Sequence, residues 1–318
     1  MVAQREKAML PMRGREQELQ QLLDAWEAVL DGQVRYVRIS GEPGTGRTRL
    51  VQAFYEKLTK VYDPPSPEHP QGYWPDLLEV GQAAENIHPA FPHSGAKLPP
   101  MPFFWWVINC SLGEMLSGKG LVPYFLGMEQ IYRHLTYVEA RRIRVAALEE
   151  AGVVGAALGL QAIPWVGPYL ASSLGMLTGF LHLSRKLREA GDLKHMKASD
   201  VAALEEASRK LEDFVVHLIG SCSGHSSAGG QITPTVLIIQ DAHWLDGRSF
   251  ALTRRLLGKG AEESWKLMVI ATVSRSVLEQ QAELDEGAPG RPEASALELE
   301  YTMKRTYGSA SVVTIDLH

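Results

Sequence analysis

Cysteine is scarce in this chain. Its 318 residues include two, Cys110 and Cys222, too few for a disulfide framework, so a reducing compartment is expected. A basic excess is also missing. Thirty-two Lys and Arg stand against 37 Asp and Glu, a formal net charge of −5, which argues against a dedicated nucleic-acid binder, and no specific nucleic acid is predicted as a partner. The opening MVAQREKAMLPMRGRE is charged within its first seven residues and has no apolar stretch behind it. No secretory signal is therefore expected, and the reading is cytoplasmic. No repeat occurs at solenoid periods, and no Ser-His-Asp or Cys-His arrangement follows from spacing. What is present is ordinary for a folded chain: 45% hydrophobic and 22% charged residues exclude a disordered or fibrous protein.

Hydrophobic periodicity sets out the elements. Residues 1–12 read as a tail. A helix is predicted from Glu16, with Leu19, Leu22, Leu23, Trp26, Val29 and Leu30 on one face and Asp31-Gly32 as its stop. Val34 to Ser40 reads as a strand, and a helix from about Thr48 to Val61 carries Leu50, Val51, Phe54, Leu58 and Val61 on one side. Ten of the 18 prolines fall in 63–102, which predicts a long surface excursion. Phe103 to Ile108 follows as a buried strand, with Trp105 and Trp106 in the core, and Pro123 to Glu150 as a helical stretch. Farther on, the reading gives a helix over Ala198–Gly220, a loop over Ser221–Pro234 and an aliphatic strand over Thr235–Gln240. A helix over Arg248–Gly258, a strand over Leu267–Thr272, a loop over 283–296 and a final strand over Ser311–Leu317 complete it. Strands separated by helices imply a parallel α/β sheet.

Gly41-Glu42-Pro43-Gly44-Thr45-Gly46-Arg47-Thr48 follows the phosphate-loop pattern G-x-x-x-x-G-K-[ST], with Arg47 where Lys is usual. A strand enters it and a helix leaves it. The glycines permit conformations that turn successive N–H groups inward as an anion nest, and the helix adds the positive end of its dipole. Thr48 offers a hydroxyl to Mg²⁺, and Arg49 is expected to face solvent on the first helical turn. Arginine spreads its charge over a planar fork where lysine delivers a point charge, so nucleotide binding is expected to survive this replacement better than hydrolysis.

The second signal is Val236-Leu237-Ile238-Ile239-Gln240-Asp241. It places a carboxylate at the carboxyl edge of the sheet, where ligands of open α/β folds bind. In a phosphate-loop enzyme such a carboxylate holds the Mg²⁺ shell or positions the attacking water. Asp246 reads instead as a helix cap.

Together these residues resemble the nucleotide-binding domain of signal-transduction ATPases with numerous domains, the STAND branch of the AAA+ class. Met12-Arg13-Gly14-Arg15-Glu16-Gln17-Glu18-Leu19 is similar to that family's opening V-G-R-E-x-E-L segment, which lies beside the adenine. Asp241-Ala242-His243-Trp244-Leu245-Asp246 is similar to its D-x-[HQ]-W-x-D signature. Val269 to Arg275 is similar to its fourth strand with a terminal arginine, which senses the terminal phosphate. The resemblance implies a three-layer α/β fold with a five-stranded parallel sheet in the order 5-1-4-3-2. It also implies ATP with Mg²⁺, a nucleotide-dependent switch or assembly role, and protein partners or self-association. Gly41 to Arg49 with Gly14 and Arg15 would bind the nucleotide, Thr48 and Asp241 the metal, while Asp241 and Arg275 would be catalytic. Three departures stand out: Arg47, Gln240 where the family often has a first acid, and a sequence that runs out after the fifth strand, so that the helical lid is expected to be absent.

Domain organisation is read as a first part of the NTPase domain over 13–62, a large and mainly helical insertion over 63–200, and a second part over 201–318. Within the insertion, 151–183 is 33 residues without one Asp, Glu, Lys or Arg, broken at Ile163-Pro164-Trp165-Val166-Gly167-Pro168. Two readings stand for it. One is a hydrophobic helical hairpin packed on the domain or on a neighbouring subunit, and the other is a membrane-inserting hairpin with basic flanks. A non-hydrolysing interaction or membrane-effector protein on an NTPase scaffold is the alternative function. His217, Cys222 and His225 make a weak metal candidate.

Overall fold

The computed structural model describes residues 14–62, 103–110, 197–224, 232, 234–245, 247–283 and 296–318. Its strands are β1 (Arg35–Ser40), β2 (Phe104–Asn109), β3 (Thr235–Gln240), β4 (Leu267–Val273) and β5 (Val312–Asp316). All pair in parallel in the order β2-β3-β4-β1-β5, which is the expected 5-1-4-3-2 read from the other edge. The helices are α1 (Glu16–Leu30), α2 (Arg47–Tyr62), α3 (Ala198–Ser223), α4 (Gly247–Glu262), α5 (Arg275–Glu283) and α6 (Ala296–Tyr307).

Side-chain alternation along each strand splits the core in two. Val37, Ile39, Trp105, Val107, Val236, Ile238, Met268, Ile270 and Ile315 face α1 and α2, meeting Leu22, Trp26, Val29, Leu50, Phe54 and Leu58. Tyr36, Phe104, Trp106, Leu237, Ile239, Val269 and Ala271 face the other way. There they meet Val215, Ile219, Leu252, Leu256, Leu299 and Met303 from α3, α4 and α6. Both faces being covered explains why β3 and β4 are buried at every position. Trp105 and Trp106 are core residues on opposite faces, each 2% exposed. Gly220 lets α3 lie against Trp265, whose ring carbon would stand 2.5 Å from a Cβ at that position.

Several boundaries differ from expectation. The helix from Ala198 continues to Ser223, three residues past Gly220, because Val215, Val216 and Ile219 keep an apolar stripe against the sheet. It also bridges the expected domain boundary at 200/201. The fourth strand closes at Val273, and Arg275 opens a helix that the sequence reading did not contain. Helix α6 was missed as well. Its buried stripe Ala296, Leu299, Glu300, Met303 has helical spacing but includes a carboxylate. That carboxylate accepts the Nε–H of Arg38 at 2.6 Å and also pairs with Lys304, so one charge on β1 is neutralised inside the α6 interface. The predicted helix 123–150, segment 151–183, Asp246, His225 and the side chains of Val61 and Cys222 lie outside the described residues. Among the described residues, no helix is long and apolar enough to cross a membrane.

Tyr36 ties the same interface by donating its hydroxyl to Ala296 O at 2.9 Å. Burial, and then the nearby Glu300 charge, push its phenol far above the ordinary value. Above about pH 10 the unfolded chain loses this proton while the folded chain keeps it, so folding stability falls as pH rises, by up to ~1.4 kcal/mol per unit. Below that pH the group contributes no slope. Tyr36→Phe is expected to cost about 1 kcal/mol at neutral pH and to remove this share of the alkaline slope. Urea midpoints at neutral and alkaline pH check both.

Candidate nucleotide site

Because the sheet is all parallel, the loops leaving its carboxyl edge share one rim. The loop between β1 and α2 is pinned at its entrance. Gly41 donates to Val273 O at 3.3 Å, and Leu317 donates to Ser40 O at 2.7 Å. Space at Gly41 excludes a side chain, since a Cβ would stand 2.4 Å from Thr45 Oγ1 and 3.0 Å from Leu317 Cβ. Gly44 and Gly46 lie at φ +89° and +94°, the left-handed region that glycine enters at no steric cost. Thr45 is spent on the loop itself: its amide and its hydroxyl both donate to Glu42 O, at 3.1 and 2.8 Å. The first amides of a helix have no acceptor within it, and such helix starts are where anions bind.

Glu42 belongs to a second connection. Its carboxylate accepts the Ser276 amide at 2.8 Å and the Ser276 hydroxyl at 3.2 Å, joining the loop to the first turn of α5. Arg275 N–H adds a long bond to Gly41 O at 3.4 Å. Neither Ser276 nor this role of Glu42 was foreseen. A residue three positions beyond the end of β4 gives no sequence signal until the sheet order puts β4 beside β1.

At the end of β3, Asp241 takes φ +53° and donates its amide to Thr272 Oγ1 at 3.1 Å. Its carboxylate Oδ1 stands 3.7 Å from Arg47 Nη1, the two side chains being 24% and 13% exposed. So the structure brings together the two residues on which the sequence reading leaned most. Gln240, which shares a face with Val236 and Ile238, is 8% exposed, and its Oε1 has no hydrogen-bond partner. Arg47 Nη1 is likewise buried without a hydrogen-bond acceptor. Thr48 is half-buried at the start of α2, and so is Arg49, which was expected to face solvent. Glu42, Pro43 and Gly44 are exposed. His243 Nδ1 accepts the Ser274 amide at 3.4 Å, and Trp244 beside it is 47% exposed.

Gly14, Arg15 and Arg275 gather elsewhere on the rim. Gly14 turns at φ +73° and donates to Glu16 Oε1 at 3.1 Å, and backbone N–H donors, first Glu16's own, hold that carboxyl below the usual range. Arg15 bonds Glu18 at 2.9 Å and His318 O at 2.6 Å. Arg275 Nη1 stands 3.0 Å from His318 Nδ1. His318 therefore joins the two arginines, a meeting that only the parallel placement of β5 against β1 produces.

The sequence model of the AAA ATPase domain family matches residues 11–84, a span that includes α1, β1, the glycine loop and α2. No curated protein matches the chain. The match supports an AAA-type domain, and the sheet order agrees. The fold is that of a P-loop NTPase. In this fold the glycine loop and Asp241 face each other across the ends of β1 and β3, with β4 between them.

The residues suit a nucleotide's phosphates better than they suit Mg²⁺. Mg²⁺ is usually held by one or two carboxylates together with substrate phosphates. Here Asp241 is already faced by a guanidinium, Gln240 is neutral and the Glu42 carboxylate is turned to Ser276. Among the described residues, no group of three or more His, Cys, Asp or Glu side chains assembles that could hold a metal.

Proposed function

We propose that the chain is an ATP-binding domain of the STAND type, in which the 41–49 loop receives the phosphates and nucleotide occupancy works as a switch or assembly signal. The observation that carries this reading is the convergence of Arg47, with its unpartnered buried Nη1, on the loop side of Asp241. A buried donor without an acceptor is costly, and a phosphate oxygen would satisfy it. The switch element of the reading is the Glu42–Ser276 connection, which would couple a change in loop conformation to α5 and, through Arg275, to His318 and Arg15. Gly14 and Arg15 would border the adenine, and Arg275 would respond to the terminal phosphate.

A second reading is favoured by Arg47 and Gln240 specifically. With a guanidinium in front of Asp241 and an amide next to it in the chain, no free carboxylate among the described residues is positioned to take a proton from an attacking water. The domain would then bind nucleotide without turnover and act as an interaction scaffold. ATP binding and phosphate release measured on the same preparation separate the two. Binding with release supports the ATPase switch, and binding without release supports the scaffold. Absence of binding defeats both.

A further inference from the structure

Arg47 and Asp241 stand 3.7 Å apart, with Gln240 next to Asp241 in the chain, and together they are balanced in charge before any ligand arrives: one guanidinium, one carboxylate and one neutral amide. The guanidinium does not lose its proton, so its charge is permanent. A divalent cation placed to touch Asp241 would stand within a few ångströms of that fixed positive charge, in a site from which Arg47 and Gln240 are largely shielded from water. Two buried side-chain atoms of these residues also lack hydrogen-bond partners, Arg47 Nη1 and Gln240 Oε1. The first needs an acceptor. The second belongs to an amide whose two ends exchange by rotation about one bond, so its NH₂ can equally be offered to an anion.

Resting on the nucleotide-site reading above, we propose that Arg47 takes the place of Mg²⁺, so that this domain binds ATP as the free, metal-less anion. The planar fork bridges phosphate oxygens bidentately, as a metal ion would bridge them. The positive-φ loop at Gly44 and Gly46 and the amino end of α2 supply the remaining donors. Asp241 holds the fork in position and has no metal to ligate. The Arg-for-Lys replacement and the Gln at 240 are then one adaptation, since each removes a requirement for the cation.

The test is ATP affinity of the full chain, measured by calorimetry in excess EDTA and again in millimolar Mg²⁺. Affinity in EDTA is expected to equal or exceed that in Mg²⁺, because the cation sequesters the free nucleotide. Tightening by Mg²⁺ of more than about threefold overturns the proposal while leaving the nucleotide site intact. Failure to bind under either condition overturns the nucleotide-site reading itself, and the proposal with it. Asp241→Asn provides the second arm. A change in affinity that is the same in EDTA and in Mg²⁺ supports the proposal, because the carboxylate then ligates no metal, whereas a loss confined to Mg²⁺ assigns the metal to Asp241 and overturns the proposal.

Discussion

Arg47→Ala is expected to weaken ATP binding by about two orders of magnitude, from the loss of two charge-assisted hydrogen bonds worth about 1.5–3 kcal/mol each, partly offset by water entering the vacated space. The variant also turns Asp241, one-quarter exposed, from a balanced charge into a bare one facing the phosphates. Both effects act in the same direction. Arg255→Ala is the control: it removes the same formal charge from α4, where Arg255 pairs with Asp213 on an open surface, and is expected to change affinity by less than about twofold. A fluorescent ATP analogue titrated against both variants checks the pair. Equal losses in the two would mean that net charge, and not the guanidinium's position, governs binding.

Glu300→Ala is expected to be strongly destabilising on the face packed by α3, α4 and α6. Its carboxylate is 9% exposed and serves Arg38, itself 15% exposed on β1. Removing one partner leaves a buried charge uncompensated, at a cost of about 3 kcal/mol, the low end of the usual range because Lys304 remains largely solvated. Replacing both Arg38 and Glu300 by apolar residues of similar volume is expected to recover most of that loss, since the pair's attraction chiefly repays its own desolvation. Chemical denaturation of the single and double variants decides it. A double variant as unstable as the single would show that the interface needs the ion pair itself.

These two residues also show where sequence reading stops. Strands with a steady aliphatic run, such as Val236 to Ile239, and helices with an uninterrupted apolar stripe, such as Leu22 to Val29, were legible because burial alone dictates their pattern. The glycine loop was legible because conformation dictates it. Helix α6 was not: its stripe carries Glu300, whose place in the core depends on an arginine 262 residues earlier in the chain. Likewise, Asp241 could be paired with the loop from spacing, but Ser276, Thr272 and His318 enter the site only through strand order, which brings β4 and β5 against β1. Arg275, expected at the end of the fourth strand, opens a helix instead, since the strand ends two residues before it.

The sheet order carries one more consequence. Among the described residues, strand β2 is a margin of the sheet, paired on one side with β3, while β1 and its glycine loop sit three positions away, between β4 and β5. Residues 111–196 connect β2, at that margin, to α3. Closing a longer loop costs entropy that grows only logarithmically with length. The length of chain between β2 and α3 can thus vary at small cost, while β4, β1 and the glycine loop keep their neighbours.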